Sequence, residues 1–541
     1  MCGLREPSKG AANLSIMTDL LEQGTALLQQ ERYSEAIEIF EKALLIKKGD
    51  PDALYSLGLA RSGSHDYTKA IEAYDEAIRM RPGEAKFHFA KARAYSEVND
   101  FEGARESFQE ALRIDPQDIH TSIGLGRVYE KLNRESEAIA AYRQAIDIQP
   151  DLAELHTIIA LIYYKQGDFV EAAVWFEQAI GLDPDLIDSH FGLGSAFFEL
   201  ENYAAAIDPL TRVILLKQGH AEANAKLGVA YHKLGQNEKA IKALREAVRL
   251  DPNNGFAHYM LGIAYYSMSL QVEAAESFKR LILIRPDLED AHYALGMTYM
   301  GLGRFEEAIA PLKEAARIND ARADTRFRLG FAYQSMGQYA EALEEFHRSI
   351  QIDPNFAKAH FGIAVCEYEM GREAEALDAI KRSLSLDPGA SEAWYALGSI
   401  YVDLDRTAEA LPALREAVRL KPDYGEALAK LGTLHLTLGQ YTEARDALRK
   451  SLRLDPNNYE ALIELGNTEY NLGNFNEAVN TYKRADEVDS SNGLTHYLLA
   501  LAYNELKDGD AVMNEYRVLI NLDPHAAGVL WEKLELWKNM K

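Results

Sequence analysis

Cysteine is nearly absent: the 541 residues hold two, Cys2 and Cys366, too few for a disulfide framework. Cys366 sits in the apolar run FGIAVC, which suits a small buried hydrophobe better than a reactive thiol. Long apolar runs are also missing. No uncharged stretch approaches the roughly 20 residues of a membrane-spanning helix, so no membrane insertion is expected. The opening MCGLREPSKGAANLSI has no apolar segment of the kind that marks a secretory signal. These absences together fit a reducing, cytoplasmic setting. Basic residues are in deficit, and the formal net charge of −26 argues against nucleic acid, whose phosphates are bound by surplus Lys and Arg.

What is present first looks like a phosphate loop. The stretch SIGLGRVY, residues 122–129, has Gly124 and Gly126 in a G-x-G arrangement, but a dinucleotide fingerprint needs a third glycine where Tyr129 stands. Steps of 34 residues from Gly126 give a different explanation. They land on Gly24, Gly58, Ala92, Ala160, Gly194, Gly228, Gly262, Gly296, Gly330, Ala364, Gly398, Gly432, Gly466 and Ala500, every one Gly or Ala. An unbroken period of this length marks a repeat array, and the array reassigns both glycines to packing.

In register, the chain reads as a leader over residues 1–16, fifteen 34-residue units over 17–526, and a trailing segment over 527–541. The leader is expected to be disordered and the trailing segment to form one capping helix, with Leu530, Leu534 and Trp537 on its buried stripe. Within each unit, apolar residues return at three- and four-residue spacings, as two amphipathic helices require. The fifteenth residue is often one that tolerates a left-handed backbone, as Asn99, Asn133, Gly167 and Gly235 do, and ends the first helix. A proline on the same grid, from Pro82 and Pro116 to Pro456 and Pro524, ends the second. The alanine at the twentieth place fails only at Val512. Pro209, Pro311 and Pro412 fall inside second helices, where each should remove a hydrogen bond and bend its helix.

Leu-Gly, then Tyr, Ala, Phe or Tyr, Ala and Pro at these places resembles the tetratricopeptide repeat, and Leu261 to Phe278, LGIAYYSMSLQVEAAESF, matches it closely. The resemblance implies an all-α, right-handed superhelical solenoid of helix-turn-helix units, first helices lining a concave face. It further implies a non-enzymatic scaffold or adaptor that binds partner proteins in that groove, with no cofactor. The alternatives are a regulatory subunit of an enzyme on a separate chain, and a self-assembling scaffold.

Seven histidines occupy the fourth place: His88, His156, His190, His258, His292, His360 and His496. Equivalent places in neighbouring units lie about a helix-packing distance of 8–10 Å apart, too far for one metal ion to bridge, so packing is the expected role. No nucleophile–base arrangement separates itself from the repeat pattern.

By the resemblance, the groove is lined by the second, fifth, ninth, twelfth and thirteenth residues of each unit. From the eighth to the twelfth unit these give Tyr259, Ile263, Tyr266, Tyr293, Met297, Phe327, Phe331, Phe361, Val365, Tyr368 and Tyr395. The ninth place is the informative one: Ile263, Met297, Phe331 and Val365 form an apolar stripe over four units, either a hot-spot floor or simple packing between first helices. The carboxylate clamp of chaperone-binding relatives is excluded because no unit has its Lys at the fifth place. Nine units carry an acid at the second place, among them Asp290, Asp324 and Glu392. These serve a helix dipole or form an acidic wall suited to a basic, amphipathic peptide or helix. Val529, Trp531 and Leu536 exceed the cap's buried stripe, which leaves room for self-association through the cap.

Overall fold

The turn residue at the fifteenth place decides where each helix pair folds back. All fifteen of these positions have positive φ, from Glu31 at 58° to Lys507 at 60°. Nine are Gly or Asn, for which this backbone is cheap; Glu31, His65, Glu201, Ser269, Asp405 and Lys507 adopt it despite a full side chain. Geometry at the turn therefore follows the repeat, not the local residue. Glu201→Gly and Lys507→Gly are each expected to stabilise their repeat by about 0.5–1 kcal/mol, the left-handed penalty less the entropy of an added glycine. Slower amide exchange in the flanking helices would show it, and faster exchange would refute it.

The computed structural model describes residues 9–534. Among these, every regular element is an α-helix: fifteen helix pairs followed by a final helix, Pro524–Lys533. From the second repeat on, each first helix begins at the first residue of its 34-residue unit, as in Pro51–Gly63, Ala323–Ser335 and Gly493–Glu505. Two differences from the sequence expectation stand at the ends. The first helix, Lys9–Gln29, starts inside the segment expected to be a disordered leader. The cap helix begins at Pro524, with Asp523 capping it by accepting from the Ala526 N–H at 2.9 Å. Its Ala527 and Leu530 close over Val512 and Leu519, and Trp531 packs on Tyr516 at 5.1 Å. Leu536 and Trp537 lie outside the described residues. The helices containing Pro209, Pro311 and Pro412 run on past the proline, Tyr203–Leu216, Phe305–Ile318 and Thr407–Leu420, and the residue after each proline, Leu210, Leu312 or Ala413, is buried.

Packing explains the glycine pair that opened the question. A Cβ on Gly126 would stand 2.5 Å from the Tyr142 ring of the same repeat, and one on Gly124 would stand 2.7 Å from the Phe108 ring of the preceding repeat. Gly192 and Gly194 do the same for Phe176 and Leu210. The G-x-G is thus a pair of ring seats, one facing each way along the stack.

The chain divides into two compact units, one up to Ala264 and the other from Tyr265. Within each, consecutive first helices touch: in the first unit Pro51–Gly63 meets Ala85–Glu97, and in the second Ala323–Ser335 meets Ala357–Glu369. Consecutive second helices stay further apart among the described residues, so each unit carries its first helices on the inner side.

Candidate binding site on the first-helix face

The histidine column has a structural task. His88, His190, His258, His292 and His360 each set Nε2 2.9–3.2 Å from the carbonyl of the proline six residues earlier. A nitrogen facing a carbonyl must be the protonated one, so the contact fixes the tautomer. Trp394 donates its Nε1–H to Pro388 in the same way at 2.9 Å, which shows what the place is for: it ties the first helix to the boundary before it. His496 differs, with Nδ1 2.7 Å from Glu515. Among the described residues no group of three or more His, Cys, Asp or Glu could hold a metal ion.

Of the eleven groove residues read from the sequence, Tyr259 and Ile263 belong to the first unit and the other nine to the second. Three of the nine, Phe327, Phe331 and Phe361, line one cavity of about 490 Å³ between the tenth, eleventh and twelfth first helices. They are not equivalent. Phe327 is nearly buried, its ring 5.3 Å from Phe356 and 5.7 Å from Phe346, so it is mainly a structural floor. Phe331 is 41% exposed and leans edge-on to Phe305. Phe361 is half-buried. Gly362 completes the floor, since a Cβ there would stand 2.6 Å from the Phe346 ring. Lys358, Asp387 and Glu392 carry charge at the cavity wall. A backbone N–H and the Ser391 hydroxyl, 2.9 Å away, hold the Glu392 carboxyl below its usual range.

The remaining groove residues are spread along the face, and two tyrosines are already engaged. The Tyr293 hydroxyl donates to Asp324 of the next repeat while the Arg322 guanidinium lies 4.0 Å over its ring. Burial and the Asp324 carboxylate push that phenol up. Tyr368 donates to Asp403, and that bond with burial raises it to about 12. Tyr395 packs against Tyr424, the rings 5.1 Å apart and tilted by 51°. Met297 and Val365 are half-buried, and Tyr266 is exposed.

The acidic column is also divided. Asp52 pairs with Arg81 at 3.0 Å, Asp290 with Arg322 at 3.1 Å, Asp324 with Arg328 at 3.4 Å, and Glu392 reaches Lys421 at 3.8 Å. Each of these four pairs lies within one 34-residue unit, so these acids share their charge with a nearby cation, and Asp324 also accepts from a tyrosine of the preceding repeat. The two buried acids at the eleventh place are explained likewise: Glu469 accepts from Arg449 at 2.7 Å and Asn474 at 2.8 Å, and Glu367 from Arg372 at 3.0 Å.

The first unit holds two further cavities that the apolar stripe did not point to, of about 590 and 320 Å³. Their signal was in the ninth column all along, where Arg93 and Arg127 stand in succession.

Family models match most of the chain. Tetratricopeptide repeat models match residues 21–61, 55–119, 97–162, 160–201 and 228–269, and the model for the cilia and flagella-associated protein 70 C-terminal domain matches 288–497. No curated protein matches it. Solved structures similar to it include the APC/C hetero-tetramer Cut9-Hcn1, at 16% identity over 85% of this chain and 96% of that one, with a TM-score of 0.37. Naa15/Naa10 bound to HypK-THB is 12% identical over 97% and 96%, with a TM-score of 0.38. MamA is 28% identical over 31% of this chain and 97% of its own, with a TM-score of 0.30. The periodic small residues, the paired helices and the matching models agree: the chain belongs to the tetratricopeptide repeat proteins, an α-solenoid family of generally non-catalytic, protein-binding scaffolds.

Proposed function

We propose that the chain is a non-enzymatic cytoplasmic adaptor that holds a peptide or helical segment of a partner protein on the first-helix face of its second unit. The observation that carries this reading is the cavity at Phe331 and Phe361. An aromatic ring 41% exposed beside a hollow of about 490 Å³ offers apolar area to a side chain that would otherwise remain in water. The cavity's charged residues, Asp387 and Glu392 against Lys358, favour a segment with basic residues beside its apolar anchor. Gln334, also at the cavity, supplies a side-chain donor and acceptor for the backbone of a bound segment.

The test is selection from a random peptide-display library on the full chain, repeated on a Phe331→Asp variant of unchanged helicity. Peptides sharing one aromatic or large aliphatic residue beside Lys or Arg should be enriched by the first protein and lost with the second. Enrichment that is indifferent to Phe331 would remove the site.

A further inference from the structure

We propose that the first unit carries a second binding site of opposite charge preference, an arginine-lipped hollow on the third and fourth first helices that takes an acidic segment of a partner protein. Those helices, Ala85–Glu97 and Ile119–Lys131, present equivalent residues in pairs: Phe89 and Ile123 at the fifth place, Arg93 and Arg127 at the ninth. Together with Phe108 and Lys131 they line a cavity of about 590 Å³. Phe89 and Arg93 also line the adjoining cavity of about 320 Å³, alongside Tyr55. Arg93 therefore stands at the lip between two hollows with an aromatic side to each.

What sets these cations apart is that three of them line one hollow and are unspent there. With 84 acidic against 58 basic residues, most arginines of the chain find a carboxylate. Arg113, Arg249, Arg317 and Arg419 each fork onto the glutamate three residues before them, with closest distances of 2.6 Å. Arg93, Arg127 and Lys131 make no ion pair and no side-chain hydrogen bond among the described residues, although Glu97 lines the same cavity. Three cations facing one hollow against one carboxylate is a local reversal of the chain's charge. Exposed guanidinium forks cost little to hold there and gain two parallel hydrogen bonds when a carboxylate arrives.

The floor adds the apolar half of the recognition. Gly124 has no side chain, so the Phe108 ring reaches the space in front of it, 5.8 Å edge-on from Phe89. Ninth-place residues of neighbouring repeats are separated by about a helix-packing distance of 8–10 Å. In a polyproline II segment, residues three apart share a face and lie about 9 Å from one another. The geometry thus fits Glu or Asp at two places three apart, with an apolar side chain between them directed at Phe89 and Phe108. Nucleic acid is the poorer fit, since three cations on a chain of net charge −26 offer no continuous phosphate track.

This site is independent of the second-unit cavity, and one titration separates them. The probe is a fluorescein-labelled twelve-residue peptide with two glutamates three apart around a phenylalanine, followed by anisotropy on the full chain. Controls are the same peptide with glutamines and a labelled single-stranded oligonucleotide. The acidic peptide should bind at least about tenfold more tightly than the glutamine peptide, and more weakly as salt is raised. Arg93→Glu with Arg127→Glu should abolish the difference, Lys131→Glu alone should reduce it, and Phe331→Asp should leave it intact. Equal affinity for the two peptides, absence of binding by the acidic one, indifference to all three basic residues, or tighter binding of the oligonucleotide would each overturn the proposal.

Discussion

Replacing Phe346 with alanine is expected to cost about 3–5 kcal/mol, the range for a fully buried phenylalanine whose site cannot collapse. Phe346 has no exposed surface, and its ring is seated by missing side chains on both sides. A Cβ on Gly330 of its own repeat would stand 2.8 Å from the ring, and one on Gly362 of the next repeat 2.6 Å from it. Those two helices are held by the ring and cannot close together once it is gone without shearing the stack. Phe327, 5.7 Å away, loses the support beneath it, so the cavity above should deform in the same variant. Because a repeat array is stabilised by nearest neighbours, the loss should be local. Amide exchange should quicken through Ala323–Ser335, Tyr339–Ile352 and Ala357–Glu369 while the third and fourth repeats keep their protection. Phe346→Leu is the calibration, because Leu210, Leu312 and Leu414 fill this place in other repeats. It should cost clearly less than the alanine variant, because leucine leaves the smaller cavity, on the Gly362 side. An alanine variant as stable as the leucine variant would show that the ring is not the wedge described.

The same ring shows why much of the fold was legible in the sequence and the site only partly so. A 34-residue grid fixes helix starts because the turn, the proline and the small residues recur at fixed offsets, and these are backbone and volume constraints that hold in every repeat. The turn overrode composition at Glu201 and Lys507, whose positive φ no propensity suggests. Side-chain depth is different, since it depends on which rotamer a neighbour 20 to 35 residues away adopts. Phe327 and Phe331 read alike as groove residues, yet one supports the floor and the other is exposed. Tyr293 reads as a free aromatic until its hydroxyl is seen to meet Asp324, 31 positions later. The histidine column was correctly assigned to packing, but its bond to a proline carbonyl follows from how the helix leaves the boundary, which spacing alone does not give. Arg93 and Arg127 were readable in the ninth column; what the sequence did not offer was that no carboxylate neutralises them.

Phe331→Ala should weaken a second-unit peptide by at least about 30-fold, the 2 kcal/mol or more that marks a hot spot, while leaving stability within about 1 kcal/mol. The two halves of this expectation come from one feature. At 41% exposure the ring gives up little core area when truncated, and its nearest aromatic partners, Phe305 at 6.3 Å and Phe327 at 6.4 Å, retain their other contacts. The area it loses is the part facing the cavity, which only an occupant would cover. Phe327→Ala should behave in the opposite sense, lowering stability as a buried aromatic does and reducing peptide affinity only as the floor gives way. Calorimetric titration of a display-selected peptide, paired with thermal unfolding of both variants, separates the roles. If Phe331→Ala lost stability and affinity in parallel, the ring would be a packing residue like its neighbour, and the ninth-place stripe would be interhelical packing, not a binding surface.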